Sequence, residues 1–437
     1  VNWTKPEINL ALSVSMLIDS HEQSYVQNRL AALEKTKCPV SVWPQPVVEE
    51  AGPSLQVQEQ IKASLEVTSG SFQRLKLLMD SWCGLFFWPL NEVEALPRRE
   101  DFLEAAQTLL GQEKDLGLKV VRLNFDGAEL LKATATDELD VEALISAVPW
   151  YRVSREIASK TQFNHWELSF PEILGQDASP LRGFDLILGN PPWIKVSWTD
   201  APLLCDFDPL LGVRDARSAD FNRERPKLID SFQRKKEYLN AQLSSLGLIA
   251  FLKCHRMNKP LRGSQTNLYK NFVRISWWLL AQKGYGGLLH QENPYDDANG
   301  EILRKAYYPR LEGHYQFINE LNLFKDIDHH NKFSINVFRS YEGEVDFENL
   351  SNLYTPKTIT SCRTHINSAE PIPGVKDNSG NWESSGHCDR IKQVTDKVLR
   401  FFHELLEPFK PTTIGIRLPP IHSQQILIIV DKINKSP

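Results

Sequence analysis

The chain has 437 residues, 41% of them hydrophobic and 24% charged, with a formal net charge of −5. That length is ample for a buried core and for two or three domains, and the charge excludes a uniformly basic nucleic-acid coat while leaving room for a local basic stripe. No apolar run approaches the ~20 residues of a membrane span and no signal peptide is present, so no membrane partner is expected.

Residues 1 to about 155 read mostly as helix. Leu30-Ala31-Ala32-Leu33 and Phe102-Leu103-Glu104-Ala105-Ala106 have helical spacing, and Pro39, Pro44, Pro46 and Pro53 break the region in two. Residues 75–87 predict a strongly apolar helix ahead of Pro89, with Trp82, Phe86, Phe87 and Trp88 assigned to core packing rather than to a ligand surface. From about residue 160 the texture changes. Phe184-Asp185-Leu186-Ile187-Leu188-Gly189 predicts a strand buried on both faces, as in a parallel sheet. A helix follows over 269–282, a strand over 286–290, a helix over 302–311, a strand over 314–321 and an alternating strand over 333–338. That order is the second half of a doubly wound α/β domain. Residues 345–413 are polar and read as a linker or irregular segment, and 414–435 as the start of another domain. Residues 427–437 run from an apolar strand-like segment into polar sequence. The first residue is Val1, and both ends read as cuts in a longer chain.

Six cysteines (Cys38, Cys83, Cys205, Cys254, Cys362 and Cys388) include no C-x-x-C pair, so their spacing suggests neither a zinc site nor disulfides. No residue is assigned to a metal, and reduced thiols in a cytoplasmic protein fit best.

The sharpest signal is Asn190-Pro191-Pro192-Trp193, directly after the strand at 184–189. In an open α/β sheet, ligands bind just beyond the carboxyl ends of strands. The Asn190 amide oxygen can accept a hydrogen bond from an exocyclic amine. Proline gives a rigid turn and removes a donor, so a backbone carbonyl can face the same amine. Two acceptors on one NH2 favour a tetrahedral, nucleophilic nitrogen. Trp193 offers a flat face worth ~1–3 kcal/mol per stacked base, and an enzyme acting on a base amine in a duplex must flip that base out.

The run from Phe184 through Trp193 resembles the catalytic motif of N6-adenine DNA methyltransferases. Asn267-Leu268-Tyr269-Lys270-Asn271-Phe272 before a helix and strand, and Leu323-Phe324 before the strand at 333–338, resemble the same family. Phe163-Asn164-His165-Trp166-Glu167-Leu168-Ser169-Phe170-Pro171-Glu172 resembles large type IIG restriction–modification enzymes and the methyltransferase subunits of the BREX and DISARM phage-defence systems. Leu289-His290-Gln291-Glu292-Asn293-Pro294-Tyr295 and Arg417-Leu418-Pro419-Pro420-Ile421-His422-Ser423 fit the same relatives.

The resemblance implies a Rossmann-like, S-adenosylmethionine-dependent fold. Residues 1–155 would be a helical region or insertion, 156–345 the second half of the catalytic core, and 346–437 a linker and the start of a target-recognition region. It implies that Asn190 and the carbonyl of Pro191 hold the target amine, with Pro192 completing the turn. Trp193 would stack on the flipped adenine, Phe324 would pack on it from another side, and Phe272 would touch the cofactor's adenosyl group. Tyr269 is expected to pack its helix. Double-stranded DNA and other restriction or defence subunits are the implied partners. No general base is demanded, since positioning does most of the work in an in-line transfer from a cationic donor.

The family's cofactor turn, Phe-x-Gly-x-Gly, has no counterpart before Asn190; Leu110-Gly111, Leu116-Gly117 and Asp126-Gly127 are isolated glycines. Asn164 stands near where relatives often have an aspartate on the cofactor adenine. The expectation is a fragment whose cofactor turn lies upstream. Phosphate contacts are expected from Arg223, Arg225, Lys227, Arg234, Lys235 and Lys236, and from Lys253, His255, Arg256, Lys259 and Arg262. The competing readings are methylation of RNA or of a protein glutamine, and a non-catalytic DNA-binding or assembly subunit.

Overall fold

The computed structural model describes residues 3–37, 53–65, 70–111, 124–125, 128–129, 141–175, 182–254, 256–409, 411 and 414–434. The chain forms two compact units, residues 1–179 with 198–248, and residues 180–197 with 249–437. The expected boundaries near 155 and 345 do not coincide with this division. Cys38, Pro39, Pro44 and Pro46 lie outside the described residues. Among the described residues, no helix is long and apolar enough to cross a membrane.

The described residues of the first unit are mostly helical. Helix α1, Lys5–Thr36, opens on a capping box in which Thr4 and Glu7 satisfy each other's backbone amides. Helices α2 (Ser71–Gly84), α3 (Arg99–Leu110) and α4 (Pro149–Thr161) pack with it around Leu17, Leu75, Leu78, Ala105, Ala106, Leu109 and Tyr151. The aromatic stripe divides. Leu75 and Leu78 enter the core, whereas Trp82 is 56% exposed and meets Phe102 only by its edge. Asp80 of α2 is buried and holds His165 at 2.7 Å, with Lys76 on its other oxygen. The histidine of the Phe163-to-Glu172 phrase is therefore a structural tie. Burial, with Asp80 and Glu167 nearby, pushes the Cys83 thiol up to about 11 and keeps it inert at neutral pH. Helices α5 (Ser218–Leu228) and α6 (Phe232–Cys254) contribute Phe221 and Tyr238 to a separate cluster with Leu204 and Leu211.

The second unit is built on a six-stranded mixed sheet: β1 Phe184–Gly189, β2 Leu280–Gln291, β3 Leu311–Ile318, β4 Lys332–Arg339, β5 Asp346–Leu353 and β6 Lys392–Thr395. Their spatial order is β1-β2-β4-β3-β5-β6. β1 runs parallel to β2, and β5 parallel to β3; β4 is antiparallel to both its neighbours, and β6 to β5. Helices α7 (Leu268–Leu279), α8 (Glu301–Tyr307), α9 (Lys357–Thr364), α10 (Asp396–Leu406) and α11 (Gln424–Asn434) complete it.

Each predicted element between 184 and 338 is present, with shifted ends. Residues 280–282, predicted as helix, open β2, because the apolar run through Trp277 and Leu280 fits either period. Three expectations are corrected. Among the described residues β1 is an edge strand, not one buried on both faces: it pairs there with β2 alone, and Leu186 and Leu188 are 59% and 71% exposed. Its apolar run would suit a covered strand with two neighbours, and the described residues supply one neighbour and cover one face. Residues 345–413 are not a linker or irregular segment throughout, since β5, α9, β6 and α10 lie there and two of these extend the sheet. β5 escapes a hydrophobicity reading because its buried positions include Asn349 and Ser351. Residues 424–434 form a helix, and Ile416, Leu418 and Leu427 join the same core as Leu288, Leu303 and Tyr308. That core is pinned by the Tyr308 hydroxyl on the Ile416 carbonyl at 2.7 Å and by Arg304 on the Gly415 carbonyl at 2.7 Å.

A buried polar network crosses the sheet. Glu292, 3% exposed after β2, accepts from His314 Nε2 and Gln316 Nε2 of β3, each at 3.1 Å. Asn349 of β5 donates to His314 Nδ1 at 2.8 Å, which fixes the tautomer that faces Glu292. Beside it His290 is fully buried, stacked on Tyr269 and bonded to the Tyr307 hydroxyl; burial lowers its pKa from 6.5 to about 4.

Removing one partner of a buried charged network leaves the others unsatisfied, so Glu292→Ala is expected to cost about 3 kcal/mol in urea denaturation of this unit. His290 is neutral when folded. Its contribution is therefore fully present above pH 6.5 and is lost as pH falls through the window from 6.5 to about 4, by at most about 3 kcal/mol. His290→Gln should flatten that part of a stability-versus-pH curve; an unchanged slope would contradict the assignment.

Candidate functional site

The loop that follows β1 is positioned by backbone pairing on two sides. Gly189 sits opposite Leu288 in the parallel β1–β2 ladder, so Asn190 leaves the sheet at the carboxyl ends of two parallel strands. The chain then pairs with the start of α7: Leu268 N–H donates to the Ile194 carbonyl at 3.0 Å, and Val196 N–H to the Thr266 carbonyl at 3.1 Å. Four residues are thereby strung between a strand end and a helix start.

Within that span, Asn190 is exposed and makes no side-chain hydrogen bond among the described residues, so its amide is available to an incoming group. Pro191 is buried and Pro192 exposed. Trp193 is half-buried, and its indole N–H donates to the Leu289 carbonyl at 3.3 Å. Its ring meets Phe324 at 5.6 Å, nearly edge-on, and Phe333 at 6.0 Å. Phe324 is held in turn by the fully buried Asn319, whose Oδ1 accepts from the Phe324 amide at 3.0 Å while its Nδ2 donates to the Phe324 carbonyl at 2.8 Å.

The structure therefore brings Trp193 and Phe324, far apart in sequence, into one aromatic cluster. Phe272 is not a member of that cluster; it stands on α7, 43% exposed. Tyr269 is completely buried against His290. Two residues went unassigned in the sequence. Asn319 clamps Phe324, and Asn267, at the anchor of the loop, has its Oδ1 buried without a partner among the described residues. An Asn that opens a polar turn ahead of Leu323-Phe324 was the available signal for the first. A cavity of about 350 Å³ lined by Glu312, Tyr315, Ile335, Val337 and Arg363 shares no residue with the loop.

The basic stretches divide. Arg223 is paired with Asp220 and Glu224, Lys227 with Glu224, and Arg225 with Asp200, so half of the first cluster is neutralised by acids of its own unit. Arg234 lies over the Phe207 ring. Lys253, Lys259 and Arg262 are exposed, with no ion pair among the described residues. His255, Gly117 and Gly127 lie outside the described residues, and Gly111 closes α3 as its cap. Asn164 accepts from the Ser169 hydroxyl at 3.1 Å.

No protein-family model and no curated protein matches the chain. Solved structures do. One is the type I restriction–modification methyltransferase subunit from Streptococcus thermophilus, at 13% identity over 75% of this chain and 60% of that one, with a TM-score of 0.25. Another is the type IIG restriction endonuclease BpuSI, at 10% identity over 88% and 43%, with a TM-score of 0.25. A third is a nuclease-deletion mutant of the Type ISP enzyme LlaGI in complex with a DNA substrate mimic, at 12% identity over 46% and 13%, with a TM-score of 0.20. This chain thus spans less than two thirds of the length of each.

Asn319→Ala frees both backbone groups of Phe324. It is expected to cost about 2 kcal/mol, read as a lowered denaturation midpoint.

Proposed function

We propose that the chain is the catalytic portion of a DNA adenine-N6 methyltransferase of a restriction–modification or phage-defence system. The observation that carries this reading is the amide of Asn190, unpaired among the described residues, at the carboxyl end of two parallel strands and three residues from a Trp193 ring packed on Phe324.

In this reading a flipped adenine stacks on Trp193, and Phe324 sets the tilt of that ring. Asn190 Oδ1 and the Pro191 carbonyl accept the two N6 hydrogens and turn the nitrogen lone pair outward. S-adenosylmethionine, when bound, supplies a methyl group on a sulfonium sulfur. Held by Asn190 and Pro191, the amine nitrogen would present its lone pair to that carbon, and its surplus proton would be left to water. For the donor the chain offers the exposed ring of Phe272. The described residues contain no glycine-rich turn for the methionine part, and none of them is assigned to it. The unpaired side of β1, with Leu186 and Leu188 exposed, suits further parallel strands that would carry such a turn.

The test is transfer of labelled methyl groups from S-adenosylmethionine by the full reading frame that contains this chain, offered DNA, RNA and protein side by side. DNA labelling at adenine N6 is expected, abolished in Asn190→Ala and reduced roughly tenfold to a hundredfold in Trp193→Ala. Labelling of RNA or protein instead would reassign the substrate. A frame that binds the donor but labels nothing would make the chain a DNA-binding or assembly subunit.

A further inference from the structure

We propose that His365, His387 and Cys388 bind a zinc ion that ties the carboxyl end of α9 to the turn entering β6. The inference is independent of the methyltransferase reading. The three ligand atoms, one from each residue, lie within 4.8 Å of one another, and the two imidazole rings are 4.4 Å apart.

The hydrogen bonds around the rings decide which nitrogens face the sulfur. His387 Nε2 lies 3.0 Å from the Glu370 carbonyl, which can only accept, so Nε2 carries the proton and Nδ1 a lone pair. The Asp389 amide, donating to that Nδ1 at 3.1 Å, agrees. His365 Nε2 lies 3.2 Å from the Glu370 carboxylate, and its Nδ1 faces the Cys388 amide at a long 3.5 Å. One residue, Glu370, thus holds both Nε2–H groups from behind, one by its side chain and one by its backbone. Both Nδ1 lone pairs are left on the side of Cys388 Sγ, which is 4.0 Å from His387 Nδ1. A carboxylate or carbonyl on the remote N–H is how metal-binding histidines are oriented.

The approach is built in. A Cβ on Gly386 would fall 2.2 Å from the Ser361 carbonyl carbon, so only glycine lets His387 reach the end of α9. Around a tetrahedral zinc, with Zn–N about 2.0 Å and Zn–S about 2.3 Å, ligand atoms sit about 3.5 Å apart. The cluster needs to contract by about 1 Å, and the metal replaces the Asp389 amide bond at 3.1 Å and the long Cys388 amide contact at 3.5 Å. Two imidazoles and a thiolate favour zinc over magnesium or calcium, which take oxygen ligands. Asp389 Oδ1, 4.0 Å from Sγ, or water completes the shell. The other grouping, Glu320 with His329 and His330, lacks sulfur and lies on the surface, with His330 71% exposed.

The full chain, stripped with a chelator, is titrated with zinc chloride and separately with cobalt(II) chloride. One tightly bound equivalent is expected, with the near-ultraviolet sulfur-to-cobalt charge-transfer band. Cys388→Ser should abolish that band, and His365→Gln should weaken binding at least tenfold, while His329→Ala/His330→Ala should leave both unchanged. Cys388→Ser and His365→Gln alter half-buried side chains, so the proposal stays testable if His387→Gln fails to fold. Absence of the band in the unaltered chain, its persistence in Cys388→Ser, or loss of the bound equivalent only in the His329/His330 variant would each overturn it.

Discussion

The carboxylate of Glu292 is the constraint on which the second unit depends. A charge 3% exposed is tolerated only if it is fully hydrogen-bonded, and here the donors come from His314 and Gln316 on a strand that does not pair with its own. β2 and β3 are separated in the sheet by β4, so the network reaches across the intervening strand and fixes its two neighbours relative to each other. Through Asn349 the same network reaches β5. A slip of β3 by one residue would turn His314 and Gln316 to the opposite face and strand the charge. The register of the sheet, and with it the height at which β2 meets the loop after β1, is specified by polar groups as much as by apolar ones.

That explains which parts of the molecule were legible in the sequence. Elements with one apolar face in the core, such as β3 with Tyr315 and Phe317 and β4 with Phe333, Ile335 and Val337, announce themselves by period even though their other face buries polar groups. β5 does not, because Asn349 and Ser351 occupy core positions that only the network justifies, and a polar run reads as a linker. β1 misled in the opposite direction. Its leucines describe a covered strand, yet Leu186 and Leu188 stand in the open. The loop itself was the most legible feature: Asn190-Pro191-Pro192-Trp193 follows a strand and sits where ligands bind in such sheets. The pairing of Trp193 with Phe324 needed the fold, since more than a hundred residues separate them. The clamp on Phe324 by Asn319 is local, and its signal in the sequence is an Asn that opens a polar turn five residues ahead.

The cysteines show a related limit. A search for paired cysteines treats each thiol by its sequence neighbours, and Cys388 has none. Its company is assembled by a glycine, a helix end and the backbone of Glu370, drawn from a stretch of polar sequence. The same holds for charge. Counting Arg223, Arg225 and Lys227 as a basic stripe overlooked Asp200, Asp220 and Glu224, which the helices bring beside them.

The way β1 is attached also sets the order in which the unit assembles. β3 and β4 meet through a short connection, Ile318 opposite Lys332, whereas Gly189 finds Leu288 only after about a hundred intervening residues have been arranged. Loop-closure entropy delays such non-local pairings. The strand that bears the Asn190 loop is therefore a late arrival, docking on a β2-β4-β3 sheet that has already formed around Glu292. Substitutions in the loop should consequently speed unfolding while leaving the rate of folding nearly untouched, so that sequence can vary there without obstructing the path to the native state.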